Sequence, residues 1–230
     1  MLRALAPGLH VIDRPFRFRG VEIGSRATVV TLGSGELLVH SPVRLGDDVR
    51  AALAPLGPVR HLVAPNRMHH LALAEWVRAY PAAALHGAPG LAKKRPDLAF
   101  STVLDDVAPR AWAGELAQCL LLGAPRFNEI AFLHRGSGTL VLADALFGWG
   151  REHPPLTRLT ARIFGAYERW ARPHNPIFGT IVRPDALRES IQRVLAWDFD
   201  RVVISHGRIV ERGGREVLRD AYAFLLGRRG

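Results

Sequence analysis

Cysteine is nearly absent from this chain: Cys119 is the only one in 230 residues. An internal disulfide is therefore excluded, as is any metal site built from a CxxC pair or a cysteine cluster. Lysine is almost as scarce, confined to Lys93 and Lys94, so arginine carries nearly all of the formal charge of +10. No apolar run reaches the length that spans a bilayer. The opening MLRALAPGLHVIDRP also lacks the apolar stretch of a secretory signal. From these absences we expect a cytoplasmic protein with no membrane partner. No repeat, low-complexity tract or linker interrupts the sequence. Its 48% hydrophobic and 23% charged residues are ordinary for a globular protein, so one domain over residues 1–230 is expected.

A basic balance can signal a polyanionic partner. Here the arginines are dispersed rather than massed in a tract, and Arg, Ala, Gly and Pro all share GC-rich codons. Nucleic acid is therefore not expected as a partner, because an electrostatic footprint needs clustering.

What the sequence does have is a set of short β-type runs punctuated by Gly and Pro: 9–13, 16–24, 27–33 and 36–40. Leu45, Val49, Leu53 and Leu56 fall at helical spacing, and Gly57-Pro58 stops that helix. Strand 59–64, a helix over about 69–80 and strand 82–86 follow. Region 36–86 thus reads strand–helix–strand–helix–strand, which predicts parallel pairing with right-handed crossovers. Strands then recur at about 115–122, 128–134, 139–144 and 200–205. Helices are expected at 155–172, 184–196 and 214–227. In the second of these, Pro184 and Asp185 suit a first turn. Two β-rich halves, each closing with helices, predict an α/β fold, a four-layer αββα sandwich.

Several strands end in a residue able to bind a metal. VRHLVAP (59–65) leads through Asn66-Arg67-Met68 to the adjacent His69 and His70. LVLAD stops at Asp144, and VVISHG brings His206 before Gly207. Ligands collect beyond the carboxyl ends of strands in α/β sheets, and three imidazoles with one carboxylate can make a metal site. A helix start at His69 and His70 would keep the imidazoles neutral. If RGSG (135–138) is a hairpin loop, His134 faces Thr139 and Glu129 faces Asp144. His134 then lies about 16 Å away along the strand, too far to share the site. Taken singly, each feature has a plainer reading: a polar turn for His69-His70, a loop cap for Asp144, a common strand end for His206. Cys119 reads as buried core. The stripe Ile163, Tyr167 and Trp170, flanked by His153-Pro154-Pro155 and His174-Asn175-Pro176, reads as packing or as a lid over the crevice.

The order strand-turn-His-His, strand-Asp, strand-His-Gly resembles that of the metallo-β-lactamase superfamily of hydrolases and oxidoreductases, over about residues 9–227. The turn PNRMHH, with HSP (40–42) before it, is closer to a branch described as a domain of unknown function. The superfamily signature is H-x-H-x-D-H. Placing its last His on His70 puts His69 at the Asp, Arg67 at the second His and Pro65 at the first. The third His of the family should fall within GAPRFNE (123–129), which has none and offers only Glu129. The resemblance therefore implies that the first of two metal sites is lost. The second keeps a competent residue at each position: His69, His70, Asp144 and His206. This nitrogen-rich set suits one divalent metal, zinc before iron or nickel.

Two functions compete on this basis. One is a single-metal hydrolase of an ester, thioester, lactone or phosphoester, with His69, His70, Asp144 and His206 as ligands. In it Asp144 also orients or deprotonates water, while Asn66, Arg67 and Glu129 contact a small-molecule substrate. The alternative is a metal-free, non-catalytic binding or scaffold protein that keeps the fold. Arg67 stands where the family has a ligand. It could hold an anionic substrate group, or simply pair with Glu129 or Asp144.

Overall fold

A computed structural model describes residues 2–173 and 181–227. The motif His174-Asn175-Pro176 lies outside the described residues. In chain order the first half contains β1 (Leu2–Ala6), β2 (Leu9–Arg14), β3 (Arg17–Phe18), β4 (Val21–Glu22), β5 (Ser25–Thr31), β6 (Leu37–His40), α1 (Asp47–Leu53), β7 (Val59–Ala64), α2 (Leu73–Ala79), β8 (Ala84–Gly87), α3 (Leu91–Lys94) and β9 (Thr102–Val103). The second half contains β10 (Leu116–Leu120), β11 (Ile130–His134), β12 (Thr139–Val141), α4 (Pro155–Ile163), α5 (Pro184–Leu195), β13 (Arg201–Val203), α6 (Gly214–Ala221) and α7 (Ala223–Leu226).

Two main sheets form, in the orders β1-β2-β5-β6-β7-β8-β9 and β10-β11-β12-β13, beside a small β3-β4 hairpin. β6, β7 and β8 pair in parallel, as the strand–helix alternation requires. The hairpin register is the expected one, with His134 opposite Thr139. β12 and β13 then pair in parallel across a long excursion of chain.

Three separate apolar cores show how the layers stack. One lies between the sheets, where Val30, Leu38 and Val63 meet Leu116, Ile130 and Phe132. A second fills the space between the large sheet and α1, α2 and α3, around Leu53, Leu62 and Trp76. The third joins the small sheet to α5, α6 and α7 through Leu140, Ile191, Val202 and Leu218, and it includes the buried Cys119. Three interfaces make four layers, α/β/β/α. Among the described residues no helix is long and apolar enough to cross a membrane.

Several elements are shorter than the patterns predict, each for a local reason. The run 16–24 folds back at Arg19-Gly20, both at positive φ, and the Glu22 carboxylate accepts the amides of Phe16 and Gly24. The helix expected over 155–172 stops at Ile163 because Gly165 turns at φ +67°. Beyond it, Trp170 packs against the small-sheet core, whereas Ile163 is exposed. The last helix breaks at Tyr222, whose hydroxyl donates to Ala145 O.

Candidate metal centre

The carboxyl ends of β6, β7, β12 and β13 converge at one rim. Below that rim is a buried polar base. Glu129, fully buried at the start of β11, accepts the amides of Ala143, Asp144 and Ala145 at 2.8–3.1 Å. Asn66 Nδ2 donates to Glu129 Oε2 and Asp144 Oδ2, both at 2.9 Å, while its Oδ1 accepts the amides of Met68 and His69. One amide side chain thus fixes the turn after β7 relative to the turn after β12. Burial first, and then the neighbouring Asp144 charge, push the Glu129 carboxyl up to about 7.

Above the base, His69 Nε2 lies 3.0 Å from Asp144 Oδ2 and His206 Nε2 lies 3.4 Å from Asp144 Oδ1. The donor atoms of His69, Asp144 and His206 all lie within 4.8 Å of one another. Burial works to raise the Asp144 carboxyl, but the His69 charge and hydrogen bond, with His206 and Asn66, bring it down to about 2. Burial likewise works to lower His69. The Asp144 charge and hydrogen bond outweigh it, so that imidazole is raised above its ordinary range. Burial pushes His206 down to about 4, with Asp144 pulling the other way.

The outer nitrogens of both rings are held. His206 Nδ1 sits 2.6 Å from Gly24 O, and a carbonyl only accepts, so Nδ1 carries the proton. A neutral His206 therefore turns the lone pair of Nε2 toward a carboxylate. His69 Nδ1 meets Ser41 Oγ at 2.5 Å, and Ser205 Oγ donates to Ser41 at 3.1 Å. Ser41 follows β6 in the left-handed region, φ +55°. Gly207 has φ +90° and packs its backbone on Gly148, so a side chain there would displace the turn that carries His206.

Four of the expected site residues take other places. His70 does not join the cluster. Adjacent residues of a turn point in different directions, and its Nδ1 lies 3.2 Å from Arg95 Nη1, which also donates to His70 O. Burial, then Lys94 and Arg95, push His70 down to about 4. The helix begins only at Leu73, so the helix dipole does not set the state of His69; Asp144 does. Asn66 and Glu129 are fully buried beneath the site, bonded to protein on every side, and cannot contact substrate. Arg67 Nη1 donates to Pro125 O at 3.2 Å and pairs with neither carboxylate.

A pocket of about 490 Å³ opens over the cluster. Ser41, His69, Asp144 and His206 lie at its floor, Phe16 and Phe18 from the hairpin form one wall, and His70, Arg44 and Arg78 line it further out. Ser41, Arg44 and Arg78 escaped the sequence reading. The HSP triplet at the end of β6 was the available signal for Ser41, whereas the two arginines carry none among so many.

The profile of a family described as "Domain of unknown function (DUF4336)" matches residues 9–175. The chain belongs to that family. Its fold is that of the metallo-β-lactamases. A metallo-β-lactamase from Pontibacter korlensis superimposes with a TM-score of 0.68 at 10% identity, covering 99% of each chain. The metallo-β-lactamase FIM-1 from Pseudomonas aeruginosa, in its mono-zinc form, gives 0.65 at 11% identity over 97% of this chain and 95% of that one. The Flv1 flavodiiron core from Synechocystis sp. PCC6803 gives 0.67 at 13% identity over 98% of this chain and 60% of that one. No curated protein matches.

Proposed function

We propose that this DUF4336 chain is a hydrolase with one divalent metal held by His69, Asp144 and His206, three ligands rather than the four expected from sequence. The observation that carries the reading is the His206 tautomer. With Nδ1–H committed to Gly24 O, the Nε2 lone pair faces the Asp144 carboxylate, an arrangement that repels unless a cation lies between them. Two imidazoles and one carboxylate, with an open pocket beyond, are the donor set of a catalytic zinc site. When bound, the ion would polarise a carbonyl or phosphoryl oxygen and lower the pKa of water.

The remaining work falls to the chain. Asn66 Nδ2 holds Asp144 Oδ2, which leaves Oδ1 to hold a ligand position or accept a proton from water. His69 Nε2, which faces Oδ2, would give its lone pair to the ion instead. Ser41 and Gly24 fix the two rings through their outer nitrogens. Phe16 and Phe18 keep bulk water from the floor. Arg44 and Arg78, rather than Arg67, would receive an anionic part of the substrate. An ester, thioester, lactone or phosphoester bond fits this chemistry.

The metal-free scaffold keeps one observation in its favour. His69 Nε2 and Asp144 Oδ2, 3.0 Å apart, can satisfy each other as an ion pair. Elemental analysis of protein purified without added zinc separates the readings. The hydrolase reading expects about one equivalent per chain, lost in His206→Ala. Less than about a tenth of an equivalent, with no uptake on titration, rejects it.

A further inference from the structure

α4 is built inside out. A surface helix of a globular protein turns its large apolar side chains to the core. Here the buried positions are Thr157 and Ala161, whereas Leu156, Leu159 and Ile163 are 53%, 54% and 71% exposed. The three share one face by helical spacing. Arg158 and Arg162 lie to one side of that stripe, and PLTRLTARI contains no acidic residue. α4 rests on β4, where Thr157 Oγ1 donates to Glu22 O. The β3–β4 hairpin beyond it repeats the same composition in another form: Phe16, Arg17, Phe18 and Arg19 alternate, and the Arg19 guanidinium lies over the Phe18 ring. Its one acid, Glu22, is occupied by the amides of Phe16 and Gly24 and by Arg17.

We propose that α4 and this hairpin form a docking face for an anionic lipid bilayer. Leu156, Leu159 and Ile163 enter the acyl boundary, and Arg158, Arg162 and Arg19 meet the headgroup phosphates. Exposed aliphatic side chains beside a polar face whose only charges are basic are the composition of an interfacial helix. The net charge of +10 favours the same surface at longer range. The expectation of no membrane partner rested on the lack of a spanning segment; among the described residues there is none, and an interfacial helix needs none. A protein partner would require acidic groups around an apolar seat. A bilayer containing anionic lipid supplies both features without specific shape. The inference stands on surface composition alone and is independent of the metal reading.

The test is cosedimentation of the full chain with phosphatidylcholine vesicles, with and without phosphatidylglycerol. We expect binding only to the phosphatidylglycerol vesicles, weakening as salt rises. The double variant L159S/I163S should bind about tenfold or more weakly while its thermal melt is unchanged, since both side chains are exposed. R158E should also weaken binding and flatten its salt dependence. Absence of binding to phosphatidylglycerol vesicles overturns the proposal. So does equal binding by the parent and the double variant. A concentration-dependent dimer of the free chain that L159S/I163S abolishes would assign the stripe to a second copy instead, and would likewise overturn it.

Discussion

The buried base under the site and the exposed flank of α4 are opposites in how they are held. Asn66, Glu129 and Asp144 are tied by directional hydrogen bonds, with three backbone amides and one side-chain amide converging on Glu129. The α4 flank has large apolar side chains and little that fixes them. The base shows where the fold spends polar contacts to keep one geometry. The flank shows surface that the fold itself does not need.

The largest expected effect tests the rigid half. Glu129→Ala would leave the amides of Ala143, Asp144 and Ala145 buried without acceptors, and should cost about 3–5 kcal/mol in urea unfolding. A loss below about 1 kcal/mol would mean that the base is not what holds the turn after β12.

A second prediction concerns His40, whose two ring nitrogens are buried without partners against Phe132. Burial, then His69, push it down to about 3 from an ordinary value of 6.5. Its folded pKa lies below its unfolded one, so the unfolded chain binds a proton that the folded chain refuses throughout that window. Stability therefore falls as pH drops below 6.5, by at most about 1.4 kcal/mol per pH unit from this group. Glu129, raised to about 7, pulls the other way above its ordinary value of 4.5, so the comparison must be made against a variant. His40→Leu should stay within about 1 kcal/mol of the parent at pH 7 and exceed it by about 2 kcal/mol at pH 5. Urea curves at the two pH values check this; parallel losses in both proteins would clear His40 of the effect.

The smallest effect tests the loose half. L159S/I163S should change unfolding free energy by no more than about 0.5 kcal/mol. A loss above about 2 kcal/mol would show that the stripe is structural after all, and would erase the contrast between the two regions.

Much of this was legible in the sequence, and the remainder failed for identifiable reasons. Strand pattern after the Gly57-Pro58 stop located β7, Pro184 and Asp185 at a first turn located α5, and reading 135–138 as a hairpin loop correctly opposed His134 to Thr139. It also brought Glu129 close to Asp144, which Asn66 now bridges. Proximity did not reveal direction. Glu129 points down into the turn amides, not up toward substrate. Nor could adjacency in sequence separate His69 from His70: the first meets Asp144, and the second is taken by Arg95, a residue of the loop after α3 that no pattern connected to it. Ser41 was overlooked because one hydroxyl at a strand end carries no periodic signal. Its significance comes only from the imidazole that another strand delivers to it.

The parallel pairing of β12 with β13 has a consequence for how much of the chain any working piece must contain. The region matched by the family profile stops at residue 175, while β13 and His206 come later. A shortened protein ending there would retain His69 and Asp144 but lack the third donor. It would also leave one side of β12 as a bare edge, with Leu140 and Val141 stripped of their neighbours Val202 and Val203. Such an edge invites pairing between molecules, so the fragment should precipitate rather than behave as a smaller, inactive version of the whole.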